Sequence, residues 1–141
     1  MGKEDKGAIF YNYGEIADEL LVNIDVHTKN GNEELTAVID TGSTYSHISK
    51  KFIKSLKPEF VHTMRTYNKI PLQGYCFDIH FSEEFILKDC TVFEMPHGYG
   101  DDFLIGMDII KQGDLAVSNY ENQTSVTFRK PSEQRICFCN A

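Results

Sequence analysis

The segment Leu35-Thr-Ala-Val-Ile-Asp-Thr-Gly-Ser-Thr-Tyr-Ser46 is where residue types and their order point to chemistry. Three apolar residues, Ala37, Val38 and Ile39, run straight into Asp40-Thr41-Gly42. A hydrophobic strand that ends in aspartate holds a carboxylate at the tip of a rigid element. Gly42 allows a sharp backbone turn and the close approach of another chain. Thr41 supplies a hydroxyl that can lock the loop, and Ser43 a second hydroxyl near the carboxylate. Such a carboxylate can take a proton from water as a base or give one up as an acid. Alone, Asp-Thr-Gly is as readily a turn or a helix cap. Its apolar approach, together with a second apolar run that ends in glycine, Leu104-Ile105-Gly106, favours the chemical reading.

The elements that must position these residues read mostly as strands. Residues 8–13 are aromatic. Residues 20–26 alternate Leu21, Asn23 and Asp25 against Val22, Ile24 and Val26, the period of a half-buried strand. Asn30-Gly31 supplies the positive φ of a tight hairpin, and residues 34–40 return from it. Ser49 is placed to cap a short helix over Lys50–Leu56, which stops before Pro58. Strands are predicted over 61–67 and 72–81, and over 85–95 with an interruption at Lys88-Asp89. Residues 103–110 read as a strand entering a short helix. A last hairpin pairs 114–120 with 125–129 and ends at Pro131. Many short strands with one or two short helices predict an all-β barrel or sandwich.

Size and charge narrow the function classes. The chain has 141 residues, enough for a single domain over 1–141 that needs no disulfide staples. Residues 1–7 are expected to form a mobile tail and 132–141 a C-terminal extension. Hydrophobic residues make up 41% and charged residues 25%, which excludes a disordered chain. The net charge of −7 argues against binding nucleic acid, which calls for a clustered basic surface. No apolar run approaches the roughly 18–20 residues of a membrane span. The charged N-terminus lacks the apolar stretch of a signal peptide, so a cytoplasmic location is expected, with no membrane partner. There Cys76, Cys90, Cys137 and Cys139 should be reduced.

Other candidate residues read more plainly. His47 could tune a carboxylate but reads as a satisfied structural residue. Asp108 reads as a cap or local ion-pair partner of the helix after Gly106. His62, His80 and His97 lack metal-ligand spacing, and Cys137-Phe-Cys139 is a weak zinc signal without a second pair. Gly98-Tyr-Gly100 opens no helix, so a phosphate role is not expected.

On these motifs the sequence resembles the retropepsin-like aspartic proteases, over roughly residues 18 to 131. Members carry an apolar-apolar-Asp-Thr/Ser-Gly-Ala/Ser loop, a flap hairpin, and an apolar-apolar-Gly segment before a short helix. Here these are Val38-Ile39-Asp40-Thr41-Gly42-Ser43 and Leu104-Ile105-Gly106-Met107. The resemblance implies a closed acid-protease β-barrel with one or two short helices. It implies an endopeptidase acting on peptide or protein substrates through water, with no metal or other cofactor. Two carboxylates sharing one proton are needed, because like charges about 3 Å apart cannot both ionise. The chain has a single Asp-Thr-Gly, so the resemblance implies a homodimer with catalytic Asp40 from each subunit. Thr41 would brace the two loops, Gly42 and Ser43 complete the loop, and Thr66, Tyr67, Asn68, Lys69 and Ile70 would form the flap tip over the peptide. Two departures stand out. The flap tip has no glycine, which leaves open a weakly active or inactive module that dimerises and binds peptides or partner proteins. The ion pair found in many viral members is replaced by Thr44 and Met107.

Overall fold

The computed structural model describes residues 6–66 and 69–139. Among the described residues, ten strands run in the order β1 (Gly7–Asn12), β2 (Leu21–Thr28), β3 (Gly31–Ile39), β4 (His47–Ile48), β5 (Glu59–Arg65), β6 (Pro71–His80), β7 (Ile86–Glu94), β8 (Phe103–Ile105), β9 (Asp114–Ser118) and β10 (Ser125–Lys130). Helix α1 (Lys50–Leu56) follows β4, and α2 (Met107–Ile110) follows β8.

The barrel closes through β2. This strand pairs antiparallel with β3 along its length, and its far end, Asp25 to His27, pairs with β6. The ring therefore reads β2, β3, β8, β4, β7, β6 and back to β2, six strands in all, with β5 hanging outside on β6. Closure leaves no free edge within the ring. The alternation in β2 works as expected: Val22, Ile24 and Val26 are buried while Leu21 and Asn23 face out. Val22, Ala37, Ile48, Phe77, Ile79, Val92 and Phe103 fill the interior. Each large side chain buried this way stabilises the fold by about 1.5–3 kcal/mol.

Strand β7 carries the interruption expected at Lys88-Asp89. Phe77 pairs with Cys90 and Ile79 with Leu87, so two residues face the single Asp78. Asp89 takes a positive φ of 54° to make this bulge.

A separate three-stranded sheet, β1-β10-β9, packs beside the barrel. The tail expected over residues 1–7 is corrected at its end: Gly7 pairs with Lys130 in β1. The reason is steric. A Cβ on Gly7 would sit 2.5 Å from the Cβ of Phe85, so the missing side chain is what lets this strand lie down. Residues 1–5 of that expected tail lie outside the described residues. Helix α1 starts where expected, after Ser49, but the Ser49 side chain makes no capping hydrogen bond. No helix of the described residues is long and apolar enough to cross a membrane.

Candidate active site

Asp40 sits where two parallel strands stop level. Strand β8 lies between β3 and β4, parallel to the first and antiparallel to the second. Val38 faces Leu104 and Ile39 faces Ile105. The ladder continues one step further, as the Asp40 N–H donates to the Ile105 carbonyl at 2.9 Å. The chain between β3 and β4 thus has to arch over the end of β8, and residues 40–46 are that arch.

The arch is held from beneath by the start of α2. Met107 N–H donates to the Ser43 carbonyl at 2.7 Å and Asp108 N–H to the Thr44 carbonyl at 3.1 Å. Gly106 passes under it so closely that a Cβ would lie 2.5 Å from the Tyr45 carbonyl oxygen. Asp108 ties the far limb. Its two carboxylate oxygens accept the Ser46 hydroxyl at 2.6 Å and the Ser46 N–H at 2.9 Å. The same hydroxyl oxygen accepts the Gly106 N–H at 3.0 Å. Asp108 also accepts the Ile109 N–H, which keeps something of the local capping role expected of it. Its larger part is a brace across the chain, and that was not visible in the sequence. Ser46 itself is fully buried.

The arch orients the carboxylate. Gly42 N–H donates to Asp40 Oδ1 at 2.8 Å, and a Cβ on Gly42 would stand 3.2 Å from that oxygen. Asp40 Oδ2 has no hydrogen-bond partner among the described residues. The hydroxyls fall differently from the sequence expectation. Ser43 Oγ turns away from the carboxylate and donates to the Tyr45 carbonyl at 2.7 Å. Thr41 is exposed and, among the described residues, its side chain makes no hydrogen bond, so the loop is locked by Gly42, Ser43 and the α2 contacts instead.

A pocket of about 140 Å³ opens beside the carboxylate, lined by Asp40, Gly42, Ser43, His47, Met95, Pro96, Tyr99 and Leu104. Its outer wall is the loop between β7 and β8. Met95, Pro96 and Tyr99 carry no motif, and only an aromatic residue between two glycines hinted at Tyr99. Of the expected flap residues, Tyr67 and Asn68 lie outside the described residues, and Thr66, Lys69 and Ile70 do not line the pocket. They form the turn of the β5–β6 hairpin, closed by Thr66 N–H to the Ile70 carbonyl at 3.0 Å and Lys69 N–H to the Thr66 carbonyl at 2.8 Å. His47 is nearly buried, with Nδ1 at 3.3 Å from the Glu94 carbonyl. Burial lowers its pKa below the ordinary 6.5 and outweighs the opposing pull of that carbonyl and of Asp108. No group of three or more His, Cys, Asp or Glu among the described residues could hold a metal ion.

Known folds share this architecture. A retropepsin-like aspartic protease from Rickettsia conorii superimposes with a TM-score of 0.57, over 92% of this chain and 99% of that one. The fold is retropepsin-like. The two sequences are 12% identical, so the likeness speaks for the fold alone. No protein-family model matches the chain, and no curated protein sequence matches it.

Proposed function

We propose that the protein is an aspartic endopeptidase that works as a homodimer, with one Asp40 from each subunit. The observation that carries this reading is the Asp40 carboxylate itself: oriented through Oδ1 by Gly42 and, among the described residues, unpaired at Oδ2, on a loop that the fold braces from three sides. A second such loop facing it would supply the partner carboxylate. One member of the dyad then stays protonated and polarises the scissile carbonyl, while the other takes a proton from the attacking water. The rim of the loop supports pairing between copies. Thr41 and Gly42 are exposed. Leu20, whose carbonyl accepts the Ile39 N–H, leads into Leu21, which is 38% exposed. An apolar rim suits two subunits that each carry −7.

The closed flap turn favours the second reading, a module that binds peptides with little hydrolysis. Lys69 supplies the left-handed residue, at φ 61°, where a glycine would give a looser tip. One experiment separates the two. The purified protein and its Asp40→Asn variant are incubated with a peptide library across pH 3–7, and the oligomeric state is measured by sedimentation. Cleavage by the wild type alone, from a dimer, supports the protease. A monomer at all concentrations sinks it, since one chain brings one carboxylate. A dimer that binds but never cleaves leaves the binding module.

A further inference from the structure

His47 is a buried imidazole that the catalytic scheme above does not use. It stands directly opposite Leu104 in the β4–β8 ladder, and paired residues share a face, so both side chains project into the pocket beside Asp40. One ring nitrogen is committed. The Glu94 carbonyl can only accept, so the bond at Nδ1 requires the proton to be there. In the neutral ring, Nε2 is then a bare acceptor. Among the described residues Nε2 has no hydrogen-bond partner, yet no buried side-chain nitrogen or oxygen is left without one. Nε2 therefore meets open space rather than packed protein. The pocket supplies that space; Leu104, Met95 and Pro96 give it apolar walls, and Asp40, Ser43 and Tyr99 carry its other polar groups.

We propose that His47 is a specificity-determining residue: through Nε2 it selects peptides that place a small, neutral, donor-bearing side chain, threonine or asparagine, beside Asp40. This rests on the reading of the Asp40 pocket as a peptide site. An apolar side chain of the same shape would bury Nε2 unpaired, and leaving a buried acceptor unsatisfied is what polar pockets discriminate against. A carboxylate side chain would meet two acceptors, Nε2 and Asp40. The volume of about 140 Å³ favours the smaller donors over glutamine or tyrosine.

The test separates this idea from the protease reading by measuring binding, not turnover. In the Asp40→Asn background at pH 7, above the lowered pKa of His47, eight-residue peptides are compared with each position fixed in turn as Thr, Val, Asn or Leu. At one position Thr should bind about fivefold tighter than Val, and Asn tighter than Leu, for a net hydrogen bond of ordinary strength. His47→Leu should erase the Thr-over-Val ratio, and His47→Gln, which keeps an acceptor, should restore part of it. Because His47 is nearly buried and the leucine variant could fail to fold, the nitrogen-15 resonance of His47 Nε2 is followed as well. It should move on binding the Thr peptide and stay put with the Val peptide. Equal ratios at every position, binding of none of the peptides, or an Nε2 resonance indifferent to both overturns the assignment. Cleavage by the wild type is scored separately. A preference without cleavage leaves His47's role standing and removes the protease. Cleavage without a preference does the reverse.

Discussion

The arch over β8 and the tip of the β5–β6 hairpin are both surface turns, yet they are built on opposite plans. The arch at residues 40–46 closes hydrogen bonds of its own at Gly42 and Ser43, but its place is set from outside. It is held by Ile105, Gly106, Met107 and Asp108, which lie some sixty residues away in sequence, the Ser46–Asp108 bonds spanning 62 positions. The hairpin tip is closed by its own ends. Thr66 bonds Lys69 and Ile70 through the backbone, and its Oγ1 accepts the Ile70 N–H at 3.1 Å. The difference teaches where precision is needed. A carboxylate that must meet another group in fixed geometry is held by the whole barrel. The hairpin tip is held by local bonds that can open without cost to the core.

The comparison breaks most simply at Gly106. Its φ of −98° suits any residue, so Gly106→Ala tests close approach and not backbone freedom. The new methyl would press on the Tyr45 and Ser43 carbonyls, and neither the arch nor α2 can yield alone. A loss of about 3 kcal/mol is expected in urea unfolding at fixed protein concentration. A change under about 1 kcal/mol would mean that the arch is far softer than its contacts imply. Asp108→Ala should cost somewhat less, about 2 kcal/mol, by leaving the Ser46 hydroxyl and N–H without their acceptor. It should also lower cleavage by more than its stability loss explains, because Asp40 is reached through the same loop. Asp108→Asn, which keeps one acceptor oxygen, should fall between it and the wild type.

How much of this was legible in the sequence follows the same division. Asp40-Thr41-Gly42 and Leu104-Ile105-Gly106 could be read because each is a local pattern: an apolar strand ending where the chain must turn or pass close. The strand period of β2 and the interruption at Lys88-Asp89 were legible for the same reason. The Asp108–Ser46 brace was not. Nothing local in Ser46 or Asp108 says that β8 will insert between β3 and β4, and the bond exists only once it does. The pocket wall of Met95, Pro96 and Tyr99 was hidden likewise, since it depends on how the loop between β7 and β8 folds back. The flap shows a third case. The turn was visible, but its residues were expected over the site, and the described ones lie away from the pocket.

His47 offers a smaller effect with a defined sign. Its pKa is lower in the folded chain than the 6.5 of an unfolded histidine. Above that value both states are neutral, and His47 adds no pH dependence. As pH falls below it, the unfolded chain takes the proton first, so the fold loses stability until the folded pKa is passed. Between pH 7 and pH 5 the wild type should therefore lose more stability than His47→Gln, measured as the difference between two urea midpoints. A variant that loses more than the wild type over this range would reverse the assignment of burial as the dominant cause.

The smallest stability effect belongs to the hairpin tip, and it sharpens the comparison most. Thr66→Val removes the hydroxyl that accepts the Ile70 N–H and keeps the side-chain shape. Both residues are open to water, which replaces the lost partner, so stability should change by only about 0.5 kcal/mol. If the turn gates the peptide, the same substitution should alter cleavage several-fold, with kcat and KM moving together as a lid demands. Lys69→Gly works on the same tip by another route. It removes the strain of φ 61° in the fold but adds freedom to the unfolded chain, so the two nearly cancel in stability. Matching changes in kcat and KM from two variants that share no side-chain chemistry would tie turnover to the turn's mobility. If both cleave like the wild type, the hairpin is a static wall, and access to Asp40 must be set by the loop that carries Tyr99.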